Sequence, residues 1–322
     1  MTPASPRSTA SGEARPTPVL WNSNAGQKIR GPLASTGDEQ LREAMTAAGL
    51  VPEIHATESA EQAQEILARL IAAGHRLVVG AGGDGTIGQI GRRLLGSGVT
   101  LGILPLGSVM NIGRMLGLPR DLEGAALAIA AGRTATIDVG EANSEIFFET
   151  ASVGLNAAIF KEAQQFEEGV KSSPFRAVWA AFRYRPARMT IHLDDGQVVS
   201  TRGLMVTVSN GAYTGVAITV APEARLDDGR FDVRVFRHFS KLDLLRHLAS
   251  ITFGRRRYIP HVSTYRSATV RIESRHPLPC RADANDLGTT PLECRVRSAS
   301  LKVIVGQDYY EGRAAPSAGP GA

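Results

Sequence analysis

The chain has 322 residues, 43% of them hydrophobic and 21% charged, with a formal net charge of +5. That length and balance suit two packed domains and exclude a disordered or fibrous protein. No apolar run approaches the roughly 18 residues of a membrane span, and two cysteines, Cys280 and Cys294, make neither a disulfide framework nor a zinc cluster. They read as reduced packing residues of a cytosolic protein.

Residues 1–18 are rich in Pro, Ser, Thr and Ala and lack the apolar stretch of a signal peptide, so a disordered tail is expected. Strands at 19–22, 51–56, 77–79 and 101–104 then alternate with helices at 38–48, 60–73, 87–95 and 122–131. This order implies a parallel sheet in an α/β domain over residues 19–140. At Thr134 the style changes to short strands and turns. Segments 146–153, 188–193, 204–209, 230–236, 269–273 and 301–305 read as an antiparallel sheet or sandwich over residues 141–310. A helix is expected near 161–181, and Asp194-Asp195-Gly196 is a hairpin signal. Residues 311–322 read as a second tail. The cleft between the two domains is the default place for a site.

Between Arg225 and Arg275 there are 12 Lys or Arg against 5 Asp or Glu. Leu242, Leu245, Leu248 and Ile251 share one face of a helix expected over 241–253, and Arg255-Arg256-Arg257-Tyr258 follow. A basic patch beside an apolar face suits an anionic membrane surface. A solvated basic surface over a core-facing leucine stripe suits the same residues. No aromatic platform or recognition motif points to nucleic acid.

Chemistry concentrates in two loops. Leu77-Val78-Val79 empties into Gly80-Ala81-Gly82-Gly83-Asp84-Gly85-Thr86. Glycines let a backbone approach a bulky anion, and the amides of a following helix favour phosphate. The spacing of Gly80, Gly82 and Gly85 matches a dinucleotide fingerprint. However, no acidic residue lies between Thr86 and Arg120 to hold a ribose, and no P-loop lysine is present. Asp84 is the carboxylate expected near Mg²⁺, with a turn role as the alternative. A second strand, 101–104, runs into Pro105-Leu106-Gly107-Ser108-Val109-Met110-Asn111. Glu223, the Leu226 carbonyl and Asp228, in a turn closed by Gly229, are oxygen donors of the kind a hard cation takes.

Gly82-Gly83-Asp84-Gly85-Thr86 and Pro105-Leu106-Gly107-Ser108 resemble the two signature loops of the diacylglycerol kinase catalytic domain. The likeness is to soluble bacterial lipid kinases of a superfamily that includes sphingosine kinases and NAD kinases. Asn22-Ser23-Asn24-Ala25-Gly26, His55-Ala56-Thr57, Ser209-Asn210-Gly211 and the segment from Ala221 to Val233 fall in the family's order. The resemblance implies a three-layer, NAD kinase-like α/β domain joined to an antiparallel β-sandwich, with the nucleotide in the cleft. It implies ATP and Mg²⁺, with nucleotide contacts from Asn22, Gly26, Lys28, Thr57, Gly82, Gly83, Asp84, Gly85, Thr86, Gly107, Ser108 and Asn111. It also implies a metal–water network through Asp138, a structural Mg²⁺ at Glu223, Leu226 and Asp228, and a lipid acceptor met at the inner membrane face by a cytoplasmic protein. Relatives often pair, so a homodimer is one implied state.

Several positions depart from the family pattern. Asp283-Ala284-Asn285 stands where relatives carry Asp-Gly-Glu, whose Glu is their proposed base. An amide takes no proton, so either Asp283 or Asp286 serves, with strand alternation favouring Asp283, or the chain is a weak or inactive kinase. Gly88-Gln89 and Val109-Met110-Asn111 replace Asn-Glu and Gly-Asn-Asp. Two other functions fit these losses: a kinase of a soluble hydroxyl compound, and a non-catalytic nucleotide- or lipid-binding regulator.

Overall fold

The structure, a computed structural model, describes residues 16–23, 37–155, 157–158, 184–215, 218–237 and 262–311. In its first half β1 (Thr17–Asn22), β2 (Pro52–Thr57), β3 (Leu77–Gly82) and β4 (Thr100–Pro105) pair in parallel, in the order β4-β3-β1-β2. The helices are α1 (Gly37–Ala47), α2 (Ala60–Ala72), α3 (Asp84–Leu94), the single-turn α4 (Asn111–Met115) and α5 (Leu122–Ala131). α1 packs on α5 and α2 on α3. The strands are continuous apolar runs because crossover helices cover a parallel sheet; Val19, Leu20, Val78, Val79 and Leu104 are fully buried. Ser59 and Asp121 cap α2 and α5 through their side chains, and α5 ends on left-handed Gly132.

The second half is antiparallel. Its strands are β5 (Thr134–Ala142), β6 (Glu145–Phe147), β7 (Thr150–Gly154), β8 (Ala187–Leu193), β9 (Val198–Ser209), β10 (Tyr213–Thr214), β11 (Ile218–Thr219) and β12 (Phe231–Arg237). β13 (Val262–Ser267), β14 (Thr269–Ser274), β15 (Pro279–Ala282), β16 (Asn285–Thr289) and β17 (Leu292–Ile304) complete it. The order β16-β15-β7-β9-β8-β14-β17 continues directly into β4. Lys302 and Val303 of β17 pair in parallel with Thr100 and Leu101, while the rest of β17 runs antiparallel to β5 and β14. Each half has its own core. In the second, Phe147 and Phe231 stack with ring centres 5.6 Å apart.

The expected two-part architecture is present, with shifted edges. The strand expected over 146–153 is two strands, β6 and β7, interrupted at Phe148 and Glu149. β17 begins at Leu292 rather than 301, its first part hidden from hydrophobic pattern by exposed Arg295 and its neighbours. β1 begins at Thr17, inside the segment expected to be tail. The helices expected over 161–181 and 241–253, and the Arg255–Tyr258 cluster, lie outside the described residues. Cys280 and Cys294 are free and buried, and burial pushes the Cys280 thiol up to about 12. No helix among the described residues is long and apolar enough to cross a membrane.

Candidate active site

The glycine loop is tighter than its sequence suggests. β3 runs through Gly82, and α3 starts at Asp84 rather than Ile87, so Asp84-Gly85-Thr86 form its first turn with Gly83 as cap. The amides of that turn have no partner within the helix and present positive charge at the loop mouth. A Cβ on Gly82 would lie 2.6 Å from the Thr86 Cβ, and one on Gly107 would lie 2.8 Å from the Gly83 Cα. The two signature loops therefore touch backbone to backbone. Nothing stands within 4 Å of where a Gly85 Cβ would be, so that face is open for a ligand.

Asp84 does not point its carboxylate at a free cation site. Oδ2 accepts from the Asn111 amide at 3.0 Å and Oδ1 from the Ile112 amide at 2.9 Å. The expectation of Asp84 beside Mg²⁺ is thus replaced by a structural bond: the carboxylate caps α4 and locks the second loop to the first. Ser108 is exposed, and its carbonyl accepts from Arg120.

Asn22, Thr57 and Thr86, named separately from sequence, line one cavity of about 280 Å³ together with Ser59 and Gln89. Asn22 Nδ2 donates to Thr86 Oγ1 at 3.4 Å, and Thr57 Oγ1 donates to the Trp21 carbonyl at 3.2 Å. Parallel pairing of β1 with β2 and β3 brings these ends together. Gly26 and Lys28 lie outside the described residues.

Across the loops stands a residue that sequence reasoning missed. Glu149 is 8% exposed, between β6 and β7. Asn111, 1% exposed, donates from Nδ2 to Glu149 Oε2 at 3.1 Å and to the Gly215 carbonyl at 2.8 Å. Asn111 Oδ1 is buried and has no hydrogen-bond partner among the described residues. Burial, then the nearby charges of Asp283 and Asp84, push the Glu149 carboxyl from its ordinary 4.5 up to about 8, against the pull of Asn111 and the Gly215 amide. The one sequence signal was a carboxylate inside an otherwise apolar run, 146–153.

The Glu149 backbone is clamped on both sides. Its amide donates to Asp283 Oδ1 at 2.9 Å, and its carbonyl accepts from the Asn210 and Gly211 amides at 2.9 and 3.1 Å. Asn210 Nδ2 also donates to the Asp138 and Phe148 carbonyls. A Cβ on Gly211 would lie 2.0 Å from Met115 Sδ, so a glycine is what lets α4 approach this turn. Arg114 of α4 stacks 4.0 Å over the Tyr213 ring and steadies the strand leading to Gly215.

Three expectations need correction. Asp283 is not on a strand beside Asn285; it sits in the β15–β16 turn at φ 47°, so the alternation argument fails. Its carboxylate accepts from the Phe148, Glu149 and Thr150 amides at 2.8, 2.9 and 3.2 Å, which leaves it a clamp rather than a base. Burial raises its pKa and those donors oppose the rise. Asp286, the other candidate, is exposed and accepts from the Gly288 amide. Asn285 is half-buried on β16, paired with Ala282.

Asp138 likewise has both oxygens engaged, by the Gly229 amide at 2.7 Å and the Ala299 amide at 2.8 Å, while its own amide donates to Leu226. It ties the 226–229 turn to the bulge of β17 and raises no geometry for a metal–water network. Its carboxyl is pushed up by burial, with the Ala299 and Gly229 bonds opposing. The expected Mg²⁺ turn does not fit a metal either. Glu223 is exposed, and Asp228 takes the Arg266 guanidinium, which also lies 3.8 Å from buried Asp232. No group of three or more His, Cys, Asp or Glu among the described residues is arranged to hold a metal ion.

A phosphate cradle at the mouth of a parallel sheet, set against a β-sandwich, is the layout of a phosphotransferase, and comparison with known proteins agrees. Residues 16–142 match the diacylglycerol kinase catalytic domain, and residues 149–305 match the YegS C-terminal NAD kinase beta sandwich-like domain. A diacylglycerol kinase of Staphylococcus haemolyticus is 24% identical over 297 residues, covering 91% of this chain and 88% of its own. One of Mycobacterium tuberculosis is 27% identical over 253 residues, covering 76% and 82%. A solved diacylglycerol kinase of Bacillus anthracis superposes with a TM-score of 0.67 at 20% identity, covering 91% and 97%, which bears on the fold.

The protein is a kinase, a phosphotransferase with an alcohol acceptor. It belongs to the diacylglycerol/lipid kinase family, whose members use a nucleotide donor.

Proposed function

We propose that this kinase transfers the γ-phosphoryl group of Mg·ATP to a hydroxyl of a diacylglycerol-like or sphingoid lipid. The observation that carries the reading is the 280 Å³ cavity, which shares Thr86 with the glycine cradle and so joins a nucleoside-sized space to a phosphate site. Phosphoryl transfer asks for positioning and charge neutralisation more than for covalent chemistry by the protein. Asn22, Thr57 and Gln89 offer hydrogen bonds in the cavity. The first-turn amides of α3 and the Thr86 hydroxyl face the phosphates. Magnesium carried by the nucleotide would neutralise phosphate charge there; the 223–228 turn, with Asp228 paired to Arg266, offers it a poor donor set.

The acceptor wall is the C-terminal half, and the basic, leucine-bearing segment between Arg225 and Arg275 supports approach to an anionic membrane surface from the cytoplasm. Purified protein incubated with γ-labelled ATP, Mg²⁺ and a total lipid extract in mixed micelles is expected to yield a labelled lipid band. Label transferred only to soluble metabolites, without micelles, would overturn the lipid acceptor. Asn285 in place of a carboxylate favours a second reading, a nucleotide-binding regulator; it predicts ATP binding with no transfer to any acceptor.

A further inference from the structure

We infer that Glu149 is the catalytic residue that takes the proton from the acceptor hydroxyl, in the place of the carboxylate missing at Asn285. The inference rests on the kinase reading above. In the step, the acceptor oxygen forms a bond to the γ-phosphorus and the bond from that phosphorus to the β,γ-bridging oxygen breaks. ADP leaves with the electron pair, and the hydroxyl proton passes to the ionised Glu149 carboxylate, which releases it to solvent before the next turnover.

Four observations converge on this residue. Glu149 stands across from the glycine loops and accepts from the side chain of Asn111, whose own main-chain amide donates to Asp84, so one short chain links it to the cradle. The other candidate carboxylates are fixed by main-chain amides alone, Asp283 by three, Asp84 by two and Asp138 by two, whereas Glu149 takes one main-chain amide, that of Gly215, beside the Asn111 side chain. Beside Glu149, Asn111 Oδ1 is a buried acceptor with no partner among the described residues, suited to a donor brought by a substrate. Finally, both partners of the Glu149 carboxylate, Asn111 Nδ2 and the Gly215 amide, are hydrogen-bond donors, which favour its ionised, proton-accepting form.

The charged and titratable groups facing Glu149 are Asp84 on α3, Asp283 in the β15–β16 turn and Arg281 on β15, with Asn111 and the Gly215 amide as neutral donors. Burial, then the two aspartates, hold its proton on, so the ionised form gains population toward alkaline pH, through about 8. A carboxylate tuned near neutrality is a better proton acceptor than one at its ordinary value.

The test uses the full chain with Mg·ATP and mixed micelles of diacylglycerol, comparing wild type with Glu149→Gln and Glu149→Asp. Wild-type kcat/KM is expected to rise with pH and level off above about 8. Glu149→Gln is expected to lose about 10²- to 10³-fold in kcat, to keep its KM for ATP within about twofold, and to lose the pH-dependent rise. Glu149→Asp keeps the carboxylate and is expected to retain the rise at a lower rate. Glu149→Gln activity within about threefold of wild type, or a residual rate with the acid limb unchanged, overturns the inference. If wild type labels no lipid, the proposed acceptor fails while Glu149 stays testable. Transfer to water, read as ADP release, needs the same proton acceptor, and its pH limb must vanish in Glu149→Gln.

Discussion

The wall of the cleft built by β3 and β4 is main chain: Gly82, Gly83 and Gly107 in contact, and the open amides of α3. The opposite wall is side chain: Glu149, Asn111, Asn210 and Asp283, drawn from the start of β7, the start of α4 and the ends of β9 and β15. A main-chain wall tolerates changes of side chain but not an added Cβ. A side-chain wall can move its carboxylate from one element to another while keeping its bonds, and that is how this kinase can lack acidic residues at 111 and 285 and still present one at 149.

The largest expected effect breaks the side-chain wall. Asp283→Ala strands three backbone amides at Phe148, Glu149 and Thr150. Stability measured by urea denaturation should drop by about 3–5 kcal/mol; a loss below about 1 kcal/mol would show that the clamp matters little. The main-chain wall should respond differently. Gly107→Ala sets a methyl 2.8 Å from the Gly83 Cα and spreads the loops. A fall in kcat/KM of about 10²-fold, roughly 2.7 kcal/mol of transition-state stabilisation, should accompany a nearly unchanged melting temperature.

A pH series sharpens the contrast. Folding holds on Glu149 a proton that the unfolded chain releases near 4.5, up to about 8 in the folded state. The stabilisation is therefore whole below the lower value and is lost as pH rises through the upper one. Unfolding free energy should decline across that window through this group, and Glu149→Gln should flatten the decline. Burial also raises Asp138 and Asp232, so they act in the same sense. The smallest effect lies outside both walls. Arg266→Ala removes the cation from Asp228 and Asp232 and should cost about 1 kcal/mol, because the guanidinium is half in solvent.

The same division governed what could be read from the chain. The glycine wall was legible because its residues are contiguous and their role is conformational; Gly82 to Thr86 and Gly107 announce close approach wherever they occur. Parallel strands also announced themselves through unbroken apolar runs such as 77–79. The side-chain wall was not legible. Asp283-Ala284-Asn285 carries no hairpin glycine and so reads as strand, whereas the left-handed φ of Asp283 itself makes the turn. Glu149 was passed over because its partners lie 38, 66 and 134 positions away by the bonds to Asn111, Gly215 and Asp283. Asp228 looked like a metal ligand because Arg266, on the neighbouring hairpin strand, is remote in sequence.

β17 carries a consequence for the order in which this molecule comes into being. The edge of the nucleotide sheet at β4 is closed by Lys302 and Val303, residues made roughly two hundred positions after the strand they cover. During synthesis, the glycine loops therefore exist for a long interval on a sheet with an open flank, and a flank of that kind invites wrong partners. Closing so wide a span of chain is slow compared with local helix formation. The final strand thus closes the parallel sheet only after the C-terminal half has been built and folded back.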